Sequence, residues 1–214
     1  CQFILGLDAH QLLPIFLTFI LDYYNLFFSC TGAFKKENTM RDGLLLVNTG
    51  DGKGKTTAAL GLGLRAVGHG MKVLMLQFFK GPWHTGELSA IQRLEPNFKI
   101  TQLGQGFIKT RKEEHAEATI ENARVSWDYA KHEIFSDLYD IIILDEINNM
   151  IDHGLLNVEE LISVVKQRPK RLTLILTGRN AHGKIIELAD MVTEMREIKH
   201  HYKSGIKAQK GIEF

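Results

Sequence analysis

Cysteine is almost missing from this chain: among 214 residues only Cys1 and Cys30 carry a thiol. Everything after Cys30 is therefore without a disulfide, a thiolate metal site or a cysteine nucleophile, as fits a reducing compartment. An excess of either charge is missing too. Lys and Arg number 26 against 25 Asp and Glu, and no basic block of the kind that tracks a phosphate backbone occurs, so nucleic acid is not an expected partner. Nor is there an internal repeat, a low-complexity stretch or a linker. With 44% hydrophobic residues the chain can bury a full core as one domain.

Lysine and arginine are absent from the first 34 residues. This segment carries the apolar run Leu12–Leu21, which Asp22-Tyr23-Tyr24-Asn25 interrupts before Leu26-Phe27-Phe28 resumes it. A membrane span needs ~20 mostly apolar residues, and the run reaches about half that before a charge. A secretory signal would open on basic residues where this segment has Asp8. Lys35, Lys36 and Arg41 follow the run and would hold the next domain on the cytosolic side if it did insert. Residues 1–39 are thus expected to be upstream, non-native sequence, with a membrane-surface anchor or a hydrophobic lid as the alternative, and the working domain is expected at 40–214.

From Gly43 onward short apolar runs alternate with helical patterns. Strands are expected at Leu44–Asn48, Val73–Phe78, Phe98–Leu103, Ile141–Leu144, Leu172–Leu176 and Met191–Met195, and helices at Lys55–Val67, Gly86–Leu94, Arg111–Phe135, Val158–Gln167 and Lys184–Ala189. That alternation predicts an α/β fold with a mainly parallel sheet covered by helices on both faces. In such folds ligands sit beyond the carboxyl ends of the strands.

At the end of the first strand stands Thr49-Gly50-Asp51-Gly52-Lys53-Gly54-Lys55-Thr56-Thr57. Glycines let successive N–H groups turn toward an anion, Lys55 can reach the outer phosphates, and the hydroxyl of Thr56 can hold Mg²⁺. The helix that follows adds its positive end. The usual pattern begins with glycine where this chain has Thr49.

Three further strand ends carry polar groups. Ile141-Ile142-Ile143-Leu144-Asp145-Glu146 closes an aliphatic strand with acids that can hold Mg²⁺ directly or through water, cap the next segment or, for Glu146, polarise a water. Thr177-Gly178-Arg179 presents a guanidinium suited to paired hydrogen bonds with phosphate oxygens, and the nearby His182 reads better as structural. Gln77–Glu87 sets Phe79 and Trp83 among a lysine and glycines, either as a ligand wall or as a subunit contact. Gly104–Lys109 on its own reads as a turn.

Together with Arg65–Gly70, Glu187–Met195 and the ending Lys207–Phe214, these motifs closely resemble the P-loop type of ATP:corrinoid adenosyltransferase, over residues 43–214. The resemblance implies a RecA-like P-loop fold and transfer of the 5′-deoxyadenosyl group of ATP to the cobalt of a reduced corrinoid, with triphosphate released. It implies a cytoplasmic homodimer in cobalamin biosynthesis or salvage, with Mg²⁺ and an electron-donating reductase or flavoprotein. Gly50, Asp51, Gly52, Lys53, Gly54, Lys55, Thr56, Thr57, Arg65 and Arg179 correspond to ATP-binding positions, and Thr56 with Asp145 or Glu146 to the metal site. Phe79, Trp83, Phe107 and Lys109 fall on the corrinoid side. In the family an aromatic residue at the position of Phe107 lies beneath the ring and keeps that cobalt face free of a ligand. Well-known members place a tryptophan two residues on, where this chain has Lys109, which implies poorer support for cobalt reduction and an unaffected transfer step. Cob(I)alamin is itself a strong nucleophile, and the chain offers no Ser-His or Cys-His arrangement to supply a base. A RecA-like ATPase and a nucleotide-binding regulatory module are the competing expectations.

Overall fold

The structure is a computed structural model describing residues 42–81, 85–104 and 117–213. The chain separates into two units, Cys1–Met40 and Arg41–Phe214, and every described residue belongs to the second. The apolar N-terminal run therefore lies outside the described residues. Among those described, no helix is long and apolar enough to cross a membrane.

Six strands form one sheet: β1 (Leu45–Thr49), β2 (Val73–Gln77), β3 (Phe98–Gln102), β4 (Ile141–Asp145), β5 (Thr173–Thr177) and β6 (Met191–Glu194). Their order is β3-β2-β4-β5-β1-β6, and every neighbouring pair is parallel. The helices are α1 (Lys55–Gly68), α2 (Gly86–Ile91), α3 (Glu117–Phe135), α4 (Ile147–Asp152), α5 (Val158–Gln167) and α6 (Gly183–Leu188).

The apolar strand runs are continuous because both sheet faces are covered. Side chains alternate across a strand, and the core divides accordingly. Leu45, Val47, Leu74, Leu76, Ile142, Leu144, Leu174 and Leu176 pack with Trp127 and Ile134 of α3, Leu161 of α5 and Ile185 of α6. Leu46, Val73, Met75, Ile141, Ile143 and Ile175 meet Ala59 and Ala66 of α1 on the other face. The small residues of α1 allow close approach: a Cβ on Gly63 would stand 2.5 Å from the Phe98 ring. The start of α5 is set by Asn157, whose side chain accepts a hydrogen bond from the Glu159 N–H at 2.8 Å.

Expected and observed elements coincide to within one or two residues over most of the domain. Residues 111–116 of the expected third helix lie outside the described residues, and its described part runs over Glu117–Phe135. Two differences are physical. Helix α4 has only six residues and begins directly off β4 through Glu146 in a left-handed conformation (φ 66°), so no periodic pattern announces it. Strand β6 is exposed at all four positions, because it pairs only with β1 at the sheet edge.

Candidate functional site

The loop between β1 and α1 is held in a cradle by its own backbone and by the chain after β6. Gly50 (φ 94°) and Gly54 (φ 117°) adopt conformations that side chains disfavour, and a Cβ on Gly50 would meet the Met195 carbonyl at 2.5 Å. The Gly52 N–H donates to the Met195 carbonyl at 2.6 Å, while the Met195 N–H donates to the Thr49 carbonyl at 2.8 Å. Thr49, which replaces the usual first glycine, ends β1 and accepts a hydrogen bond from the Ala181 N–H on its hydroxyl at 3.1 Å. Lys55 is 8% exposed, and its ammonium donates to the carbonyls of Gly50 and Gly52, each at 2.7 Å. Burial pushes its pKa below the usual lysine value, with Glu146 pulling the other way.

Strand β5 lies between β1 and β4, and five polar side chains come together around the ends of β2, β4 and β5 and the start of α1: Thr56, Gln77, Asp145, Glu146 and Thr177. Asp145 is 0% exposed. Its Oδ1 accepts from the hydroxyls of Thr56 at 2.9 Å and Thr177 at 2.8 Å, and its Oδ2 takes a long 3.5 Å contact from Gln77 Nε2. Glu146 occupies the position before α4 without using its side chain as a cap. Burial, then the Asp145 charge, pushes the Glu146 carboxyl above its usual range, and burial raises that of Asp145. Two carboxylates held dear in a half-dry corner beside a threonine hydroxyl are hard oxygen donors of the kind Mg²⁺ takes, so the donor set fits that ion. Of these oxygen donors Glu146 and Thr56 line the adjoining cavity, and Asp145 stands behind them.

That cavity, about 940 Å³, is lined by the loop residues 51–57, by Glu146 and by Arg179. Gly178 (φ 127°) turns the chain at the end of β5, and the Arg179 N–H donates to Asn149 Oδ1 at 2.7 Å, which fixes the backbone while leaving the guanidinium 59% exposed. Its Nε lies 3.9 Å from Asp51.

A phosphate cradle facing a buried acid across one strand belongs to many nucleotide enzymes, and similarity to known proteins narrows it. Residues 41–214 match the family model described as ATP:corrinoid adenosyltransferase BtuR/CobO/CobP. The chain is 40% identical over 172 residues to a corrinoid adenosyltransferase of Escherichia coli K12, covering 80% of this chain and 86% of the relative. It matches the corrinoid adenosyltransferase CobA of Salmonella typhimurium LT2 at the same identity over 172 residues, 80% of this chain and 86% of the relative. A corrinoid adenosyltransferase of a Sinorhizobium species is 40% identical over 178 residues, 82% of each chain.

The chain belongs to the ATP:corrinoid adenosyltransferase family.

In this adenosyltransferase the structure gathers Asp51, Gly52, Lys53, Gly54, Lys55, Thr56, Thr57, Glu146 and Arg179 on one cavity. Phe79 also lines it, though its ring is mostly buried and packs 5.8 Å from His153. Arg65 is not brought there. It is exposed in the last turn of α1, ten residues beyond Lys55, and the helical rise puts it about 15 Å along the axis. Trp83, Phe107 and Lys109 lie outside the described residues. His182 caps α6, accepting from the Lys184 N–H at 3.2 Å, as its structural reading expects.

Several polar residues have roles that their motifs do not announce. Thr177 and Gln77, buried behind the cavity wall, stand in the Thr177-Gly178-Arg179 and Gln77–Glu87 stretches; the hydrogen bond of Thr177 and the β2–β4 register of Gln77 bring both onto Asp145. The C-terminal stretch contributes Glu197, His200, Tyr202, Lys203 and Glu213. Glu213 lies 3.5 Å from Lys53 Nζ and 3.0 Å from His201 Nε2, tying the tail to the phosphate loop. The ligand atoms of His200, His201 and Glu213 also lie within 4.8 Å of one another.

Proposed function

We propose that this chain holds the triphosphate of ATP in the 49–57 cradle and transfers the 5′-deoxyadenosyl group to the cobalt of a reduced corrinoid, releasing triphosphate. The electron pair on Co(I) forms the bond to C5′ as the C5′–O bond breaks, and the electrons of that bond leave on the triphosphate. No proton moves at carbon, so positioning and charge are what the protein must supply.

Lys55 and the N–H groups at the start of α1 bind the polyanion, and Arg179, fixed through its backbone but free at its guanidinium, closes on its oxygens. Mg²⁺ would be held by Thr56 and Glu146, with Asp145 acting through the Thr56 hydroxyl, and would neutralise phosphate charge. The buried position of Asp145, behind rather than on the cavity wall, supports Glu146 as the direct ligand. The reading is carried by one observation: the Thr56–Asp145–Thr177 hydrogen-bonded set and Glu146 adjoin the Lys55 cradle in a chain of this family.

On the corrinoid side, the resemblance supports Phe107 beneath the ring with Lys109, Phe79 and Trp83 nearby. It also supports a homodimer in the cytoplasm that receives electrons from a reductase or flavoprotein. Ile198, Tyr202 and Ile212 of the C-terminal stretch stand exposed.

The test is incubation with ATP, Mg²⁺ and chemically reduced cobalamin. A light-sensitive carbon–cobalt product together with triphosphate is expected. ADP and phosphate with the corrinoid unchanged would instead make the protein an ATPase, and binding without turnover a regulatory module.

A further inference from the structure

Lys80 follows β2 by three residues, in a stretch whose first residue, Phe78, donates its N–H to the Asp145 carbonyl at 3.2 Å. The loop is thus tied to the strand end that carries the two acids. Lys80 lines the same cavity as Lys55, Thr56 and Glu146, and its charge acts on both carboxylates, opposing the burial that raises their pKa values. Its ammonium forms an ion pair with Glu87, at the start of α2, and the two side chains are 31% and 18% exposed. Burial would raise the Glu87 carboxyl, but the hydrogen bonds from Lys80 and from its own backbone outweigh it and hold the pKa below the usual range.

A lysine has a long flexible stem and a point charge, so it can exchange one anionic partner for another without moving the backbone. Within this cavity the stronger anion is the triphosphate, whose charge increases as it leaves. We propose that Lys80 is a third cationic ligand of the departing triphosphate, beside Lys55 and Arg179, held on Glu87 until the polyanion draws it across. The inference rests on the cradle being the triphosphate site, and it adds a group from the loop after β2 that touches the leaving group. Glu87 then acts as a positioning residue, which keeps the ammonium in the cavity and away from Glu146.

The experiment measures binding of inorganic triphosphate, with Mg²⁺, to the full chain by calorimetry. Lys80→Gln is expected to weaken it by about 10–100-fold, the effect of losing a hydrogen bond to a charged group. Glu87→Gln releases the ammonium and is expected to tighten binding by about threefold, since an exposed or half-exposed pair is worth little. Lys80→Arg keeps the charge and should retain most of the affinity. The opposite signs of Lys80→Gln and Glu87→Gln are what a merely structural ion pair cannot produce, because both variants break it equally. Equal weakening by the two, or no effect of Lys80→Gln, overturns the proposal. Should Lys80→Gln fail to fold, Glu87→Gln and Lys80→Arg still decide: tighter binding in the first and retained binding in the second support it, and weaker binding in both overturns it. If the unsubstituted chain binds no triphosphate, the reading of the cradle itself falls. If it binds and Lys55→Ala alone weakens it, only the role of Lys80 falls.

Discussion

At the carboxyl ends of β1 and β4 Lys55 and Asp145 are 8% and 0% exposed, and their polar atoms are held by neighbouring carbonyls and hydroxyls; in the C-terminal stretch Ile198 and Tyr202 are 84% and 73% exposed, and the polar contacts are ion pairs such as Lys53–Glu213 and Lys203–Glu197. The first region has its donors and acceptors oriented before a ligand arrives, so their strength can be spent on charge that develops in the reaction. The second is built from contacts that individually contribute about 0–1 kcal/mol and can be exchanged for a ligand at little cost. On the function proposed above, the site grips a polyanion and then lets it go, and both kinds of contact serve that.

Substitutions on the two sides should therefore differ in size, and Lys55→Ala is the sharpest way to expose the difference. Loss of an oriented donor to developing charge costs on the order of 3–4 kcal/mol, so turnover from ATP and pre-reduced corrinoid should fall at least a hundredfold. A rate within tenfold of the parent would mean that the cradle does not bear on the leaving group.

Glu146→Gln comes next. It removes one charge from the oxygen-donor set while leaving Asp145 and its hydrogen bonds in place, and apparent Mn²⁺ affinity in the presence of ATP should drop by roughly 10–100-fold, as read by electron paramagnetic resonance. Unchanged affinity would return the metal to Asp145.

Gly63→Ala probes the cradle's support and not its chemistry. The new methyl group would face the Phe98 ring at 2.5 Å and Val73 at 3.4 Å, and overpacking of this kind costs about 1–3 kcal/mol. Urea unfolding should show that loss, with KM for ATP nearly unchanged at temperatures where the protein stays folded. A neutral result would mean that α1 can shift on the sheet without disturbing the loop it begins.

The smallest effect is expected from Glu213→Gln, which breaks the contact between the tail and Lys53. KM for ATP should move by less than about threefold, since the contact is long, 3.5 Å, and its lysine is 44% exposed. A tenfold change would erase the distinction between the two sides and make the tail as ordered a wall as the loop.

How much of this was legible in advance varies with the kind of signal. The strands β1, β2, β4 and β5 are aliphatic runs buried on both faces, and a continuous apolar run between turn residues can hardly lie elsewhere than inside a sheet. The turn between β1 and α1 was legible because its glycines answer a local requirement of the backbone, Gly50 and Gly54 both standing at positive φ. Helix α4 was not, since it starts directly off β4 with only Glu146 between them and so has no turn residues to set it apart, and the exposure of β6 was not, since nothing in Met191–Glu194 says on which edge it will lie. Arg65 shows the converse: a motif adjoining a site in sequence can be carried away from it by a helix's length.

The order of residues alone determined which elements form and what chemistry each strand end can offer, because both follow from contacts between near neighbours and from side-chain type. The tertiary structure decided which offers are combined. Insertion of β5 between β1 and β4 brings Thr177 onto Asp145, and pairing of β2 with β4 puts the loop that carries Lys80 and Glu87 on the same cavity. Those relations join residues separated by 30 or more positions as well as close ones, and they depend on strand order, which no local pattern encodes.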